Sequence, residues 1–313
     1  MTTSSALGTP VFSAGGCCFT WVEVIEAARV RGDWAALQQH VAGLLMRESH
    51  LAAAGALPTA DQTRAAANEF RYRHRLLSAD ELGEWLARRD ISFDDWAAEM
   101  QRSLLDPAEP DPAAVPGANE RVDWVHAVCS GKLADYALVF AQEVAVQLTE
   151  DPGSSLGGDM AALPRARANF CAAQLQESTL AAEIRNNTIG WTRVDLQMLI
   201  HSDEMVIREA ALCVRIDGRE LADVAAAAGA PLHEMSVLVD DVEPALRSRL
   251  LAAEPGELIG PFATATGHQL GLVQRRTPPS LGDAAQRRRA EETVITRALV
   301  SAVNRNVTWH EHF

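Results

Sequence analysis

The chain has 313 residues, 48% of them hydrophobic and 22% charged, with 28 Lys+Arg against 42 Asp+Glu for a net charge of -14. That length supports two or three domains with their own cores, and the acidic balance argues against nucleic acid and anionic lipid as partners. It suits a basic or neutral peptide partner, or serves solubility alone.

Met1 to Pro10 carries no Lys or Arg, and Gly15, Gly16, Cys17 and Cys18 interrupt the first apolar stretch. No signal peptide is read there, no window is apolar enough to span a membrane, and the expected location is the cytoplasm. The five cysteines, Cys17, Cys18, Cys129, Cys171 and Cys213, are odd in number and show no framework spacing. Reduced thiols are expected. The Cys17-Cys18 pair is redox-active, a soft-metal site, or two small residues after a Gly-Gly turn.

Residues 21 to 56 read as two helices. Val22, Ile25, Ala28 and Val30 make an apolar face, Gly32-Asp33 breaks it, and Leu37, Val41, Leu44 and Leu45 resume it. Asp33 reads as the N-cap of the second helix. Thr59 to Gln62 and Ser78 to Glu81 are capping-box openings, and Ser92 opens another helix carrying Trp96, Met100 and Leu104. Pro107, Pro110, Pro112 and Pro116 mark a loop. Two helices follow over 121 to 149, flanking Ser130-Gly131-Lys132. Asp151 to Gly158 is a second linker, and one helix is read over 164 to 184.

The pattern then changes. Ile189 to Ile200 alternates like a strand. A helix follows from Ser202 to Asp217, then a short helix over Leu221 to Ala228 and a brief strand over Val237 to Val239. After a helix over Pro244 to Ala253, Leu258 to Thr264 and His268 to Gln274 read as a strand pair. Residues 283 to 304 form one long charged helix.

Two stretches carry a resemblance. Gly218 to Ala225, GRELADVA, is similar to the parvulin segment G-x-x-F-x-x-L-A. Glu254 to Val273 is similar to the parvulin run l-x-p-G-e-i-s-x-P-v-x-T-x-x-G-y-H-i-i-k-V. The run from Leu37 to Leu105 resembles the helical N-terminal domain of SurA and its relatives. The stretches GWTRVDLQML, REAALCVRIDG and LADVAAAAG resemble PpiC-related proteins of bacterial peptide-maturation systems.

The resemblance implies an α+β chain: a helical domain over 1–185, a parvulin-like domain over 186–279, and a C-terminal helix over 280–313 packing back on the helical domain. Trp309 would be its late apolar anchor. Parvulin-type sites pair two histidines across the sheet. Here the first position falls near Asp195 and the second on Gln269, with His268 one residue away on the opposite face. The G-G-d-L-G stretch is replaced by Ala230 to Met235. Asp195 and Gln269 are expected to face each other across the old groove, or to be plain half-exposed sheet residues.

The function implied is that of a chaperone or accessory protein. It would hold a peptide or unfolded polypeptide, such as a precursor peptide, beside a modifying enzyme and without isomerase activity. Met235, Leu238, Phe262, Leu270 and Leu272 are the expected peptide contacts, with core packing as the alternative for each. The other readings are an active prolyl isomerase, or a peptide-modifying enzyme using a metal, a cofactor, or Cys17, Cys18 or Cys129. No metal-ligand set or cofactor motif is present: His310-x-His312, His201, His233 and His268 lack partners in sequence, and Asp240-Asp241 reads as a cap before Pro244.

Overall fold

The structure is a computed structural model that describes residues 5–107, 119–153, 160–264 and 267–310. Most of the proline loop and of the second linker lie outside these residues. The fold is α+β, and the chain divides into two compact units. Unit 1 holds Met1–Ala173 and Arg297–Phe313, and unit 2 holds Gln174–Thr296.

Unit 1 opens with a hairpin that the sequence reading missed, β1 (Pro10–Ala14) and β2 (Cys17–Thr20). Gly15 and Gly16 turn it at φ 56° and 80°, a conformation glycine adopts without a Cβ penalty. The helices are α1 (Trp21–Arg31), α2 (Asp33–Ala53), α3 (Ala60–Arg73), α4 (Ala79–Arg88), α5 (Phe93–Arg102), α6 (Glu120–Cys129), α7 (Lys132–Glu150) and α8 (Leu163–Gln174). Thr59 and Ser78 make the capping boxes expected of them, and Ser92 caps α5. Asp33 is not a cap: Gly32, at φ 86°, ends α1 and precedes Asp33 as first residue of α2. One core joins these elements, with Phe12, Trp34, Phe70, Trp96, Phe140 and Val144 buried in it.

Unit 2 begins with α9 (Glu177–Asn186), which is separated from α8 where one continuous helix had been read. Then come β3 (Arg193–His201), α10 (Glu204–Arg215), α11 (Leu221–Ala227), β4 (Leu232–Leu238), α12 (Pro244–Ala252), β5 (Leu258–Thr264) and β6 (Gly267–Thr277). The strands form an antiparallel sheet in the order β4-β3-β6-β5. β4 starts five residues before the expected brief strand at Val237. One face packs Leu199, Leu270 and Leu272 against α10 and α11. The other packs Val194, Leu196, Met198 and Val273 against α12.

The last helix, α13 (Ala284–Asn306), contributes Ala290 and Val294 to a unit 2 cluster with Trp191. Its end belongs to unit 1, where Ala302 and Val303 pack on Ala145. Asn306 donates to the Ala145 carbonyl at 3.1 Å. β7 (Val307–Trp309) then joins β1 antiparallel, and Trp309 meets Phe12 with ring centroids 5.6 Å apart.

Candidate functional site

The register of the sheet decides which residues meet. Ile200 lies opposite Gln269, and His201 opposite His268. Asp195 lies opposite Arg275 on one side and Ser236 on the other. Asp195 and Gln269 are therefore about five residues apart along the strands, on the order of 16 Å at the usual rise. The expected Asp195–Gln269 pair does not exist. The alignment fixed each residue within its own strand but could not fix the register between strands.

Each residue has local partners instead. Asp195 accepts from the Ser236 hydroxyl at 2.7 Å and from Arg275 Nε at 2.8 Å. Those hydrogen bonds, the Ser236 one foremost, hold its carboxyl below the usual range. Gln269 donates to the Thr264 hydroxyl at 3.3 Å and lies opposite Phe262 on β5. His268 does point away from the Gln269 face, since strand side chains alternate. It shares its face with His201, whose Nδ1 accepts the Asp203 N–H at 3.0 Å.

The expected peptide contacts scatter. Leu270 is fully buried in the sheet core and Leu272 packs against the same cluster; both are structural. Phe262 packs beside Ile259 and Leu246 on the opposite face, with the Arg249 guanidinium 5.3 Å from its ring centroid. Met235 and Leu238 lie on β4, at the far edge of the sheet from Phe262. The five do not line one groove. Met235 is the exposed one, at 41%.

β4 pairs only with β3, and His233, Glu234, Met235 and Ser236 along it are all exposed. Its outer row of backbone donors and acceptors has no strand beside it among the described residues. The sequence missed a second feature of unit 2, an apolar stripe on α10. Met205 and Leu212, and Ile216 just past the end of the helix, are all more than half exposed. The burial of Ile207, Ala210 and Ala211 on the other side explains the helix; nothing in the fold requires the outer stripe.

Unit 1 holds a buried charged cluster with no sequence signature. Glu99 on α5 is 2% exposed. Its Oε1 lies 2.7 Å from His126 Nδ1 and its Oε2 accepts from Arg102 at 2.8 Å. Arg102 Nε also donates to Glu48 at 2.9 Å. The cluster lines a cavity of about 390 Å³. Both Glu99 oxygens are engaged, so the cluster ties α2, α5 and α6 together rather than offering a free acid.

The thiols divide. Cys17 and Cys18 are exposed at the β1–β2 hairpin, and Cys129 is buried. Burial pushes the Cys129 thiol far up, which removes it as a nucleophile near neutral pH. Asp241 forms a two-pronged pair with Arg289, 2.9 Å on each prong; Glu243, not the Asp pair, precedes α12. His310 lies 2.6 Å from the Ser13 hydroxyl, and His312 is outside the described residues. No group of three or more potential ligands is placed to hold a metal among the described residues. No described helix is long and apolar enough to cross a membrane.

His74, at the end of α3, gives a pH prediction. Burial first, then the charges of Arg73 and Arg89, hold its pKa below the ordinary 6.5. Between the lowered folded value and the ordinary one the unfolded chain binds more protons, so the contribution is present above that window and lost as pH falls through it. Replacing His74 with Phe, which fits between Phe70 and Trp85, should flatten the fall in denaturation midpoint between pH 7.5 and pH 5.5. An unchanged slope would remove His74 as its source.

No family profile matches the chain, and no curated protein does. Solved structures do. A SurA-like chaperone of Campylobacter jejuni is similar over 97% of this chain and 100% of its own, at 7% identity and a TM-score of 0.21. The foldase PrsA of Streptococcus pneumoniae is similar over 94% and 90%, at 10% identity and 0.27. PrsA of Bacillus subtilis is similar over 96% and 91%, at 9% identity and 0.23.

Proposed function

We propose that this protein is a peptide-holding chaperone or accessory protein, and that unit 2 captures an extended segment as an added strand along β4. The observation that carries this is the edge of β4, which pairs with no second strand among the described residues. An unpaired strand is a template for another chain unless it is blocked, and main-chain bonds to an added strand bind with little demand on sequence. Exposed Met235 supplies an apolar contact beside that edge. The parvulin-like and SurA-like stretches of the sequence support the same reading. A precursor peptide awaiting modification, with its modifying enzyme close by, is the occupant this reading favours. The five unbridged cysteines favour a reducing compartment, the cytoplasm.

Hydrogen exchange tests it. With a saturating labelled peptide of alternating leucine and serine, the amides of residues 232–238 should gain protection. Met235→Asp should weaken binding about tenfold, the scale of one lost apolar contact. Binding that leaves those amides unchanged would refute strand addition.

One observation favours a second reading. His201 and His268 are direct cross-strand neighbours, so a prolyl isomerase could use this pair in place of the expected positions. Exchange of a proline-containing peptide at the uncatalysed rate, tens to hundreds of seconds, would dismiss it. Acceleration abolished by His201→Ala would establish it.

A further inference from the structure

Two helices of unit 1 end at one cavity. α3 finishes with Arg73 and His74, and α4 with Arg88 and Arg89, while Arg75 follows α3 with φ 56°. Basic residues at a single helix C-terminus complement its dipole. Here two such ends gather four guanidiniums around an opening of about 680 Å³, and among the described residues no Asp or Glu lines it. The chain as a whole carries -14, so the sign of charge is reversed at this place.

The four are not equally engaged. Arg73 pairs with Glu69 at 2.7 Å, and Arg89 lies 4.3 Å from the Trp85 ring centroid. Arg75 and Arg88 are exposed, and no ion-pair partner holds either of them among the described residues. Next to them is a recess of about 110 Å³ lined by Trp21, Trp85 and Trp124. The recess and the cationic opening share His74, Trp85, Arg88 and Arg89.

We propose that this corner of unit 1 binds an acidic peptide segment, seating one aromatic or branched side chain in the tryptophan recess and the neighbouring carboxylates on Arg75 and Arg88. Guanidinium forks match carboxylates in two-pronged geometry. The recess is smaller than the roughly 150 Å³ cavity that encloses a benzene ring and is open on one side, so it seats part of one side chain and no more. A long polyanion such as nucleic acid would meet the repulsion of the rest of the surface, whereas a short segment meets only the basic corner. This site is independent of the β4 edge: it lies in the other unit and selects for charge.

The test is a fluorescence titration of the full chain with a labelled peptide alternating aspartate and phenylalanine. It should bind at least tenfold tighter than the same peptide with lysine for aspartate, and tighter than one with serine for phenylalanine. The double variant Arg75→Gln, Arg88→Gln should lose about tenfold or more. Arg64→Gln, an exposed arginine elsewhere on α3, should lose nothing, and Met235→Asp should also bind the acidic peptide normally. Equal affinity for the lysine peptide, or full affinity in the double variant, would overturn the assignment. Equal affinity for the serine peptide would reduce the site to a simple anion patch and overturn it as well.

Discussion

Replacing Arg31 with leucine should lower the unfolding free energy of unit 1 by about 3–5 kcal/mol, the scale of a buried ion pair that loses one member. Arg31 ends α1 and donates to Glu143 on α7 at 2.9 Å and to Asp33 at 2.6 Å. Glu143 is 2% exposed. Burial already pushes its carboxyl above the ordinary value, with Arg31 as the chief influence pulling it back. Without Arg31 the carboxylate would remain buried with its principal counter-charge gone. Its folded pKa would rise further, so the penalty stands above the unfolded value and eases as pH falls through the folded one. The deficit should therefore be largest near pH 8 and smaller at pH 5. For a unit of this size the loss corresponds to roughly 10 °C in Tm. Adding Glu143→Leu should restore most of it, since the apolar pair avoids desolvating a charge. A double variant as unstable as the single one would show that α1–α7 packing, not charge, was at stake.

How far the sequence reached depended on how local each signal was. The capping boxes at Thr59 and Ser78 are complete within four residues, and both stand in the structure. Gly15-Gly16 is also local, a two-residue turn between strand-forming stretches, and it could have revealed the β1–β2 hairpin. β7 could not be found that way, because a three-residue strand earns its place only by pairing with β1 almost the whole chain away. The site failed for a related reason. A one-residue slip turns every side chain of a strand over, and the pairing of β3 with β6 also contains an irregularity beside Asp195. Nothing within either strand reports it. Likewise Arg73 and Arg88, read singly, are ordinary helix-end cations. Only the packing of α3 and α4 makes them neighbours.

Gly271 links the packing of the sheet to what the sheet can do. It lies on β6, opposite Met198 and Ile259. A Cβ there would lie 2.6 Å from Ile259 Cγ1 and 2.7 Å from the Met198 sulfur. Both neighbours are buried, at 4% and 2% exposure, so neither can swing into solvent. Gly271→Val should cost roughly 3 kcal/mol, the upper range for overpacking a filled core. Met198→Ala alone should cost about 2–5 kcal/mol by leaving a cavity. Together they should cost clearly less than the sum, because the valine fills what the methionine vacates. Strict additivity in calorimetry would break this account. The functional consequence concerns Gln269, two residues away on the same face. Met198, the β3 residue two before its partner Ile200, fills the space left by the missing Cβ at 271. The register puts Gln269 beside Ile200, on the face of Leu196 and Met198, whereas Asp195 alternates with them and belongs to the other face.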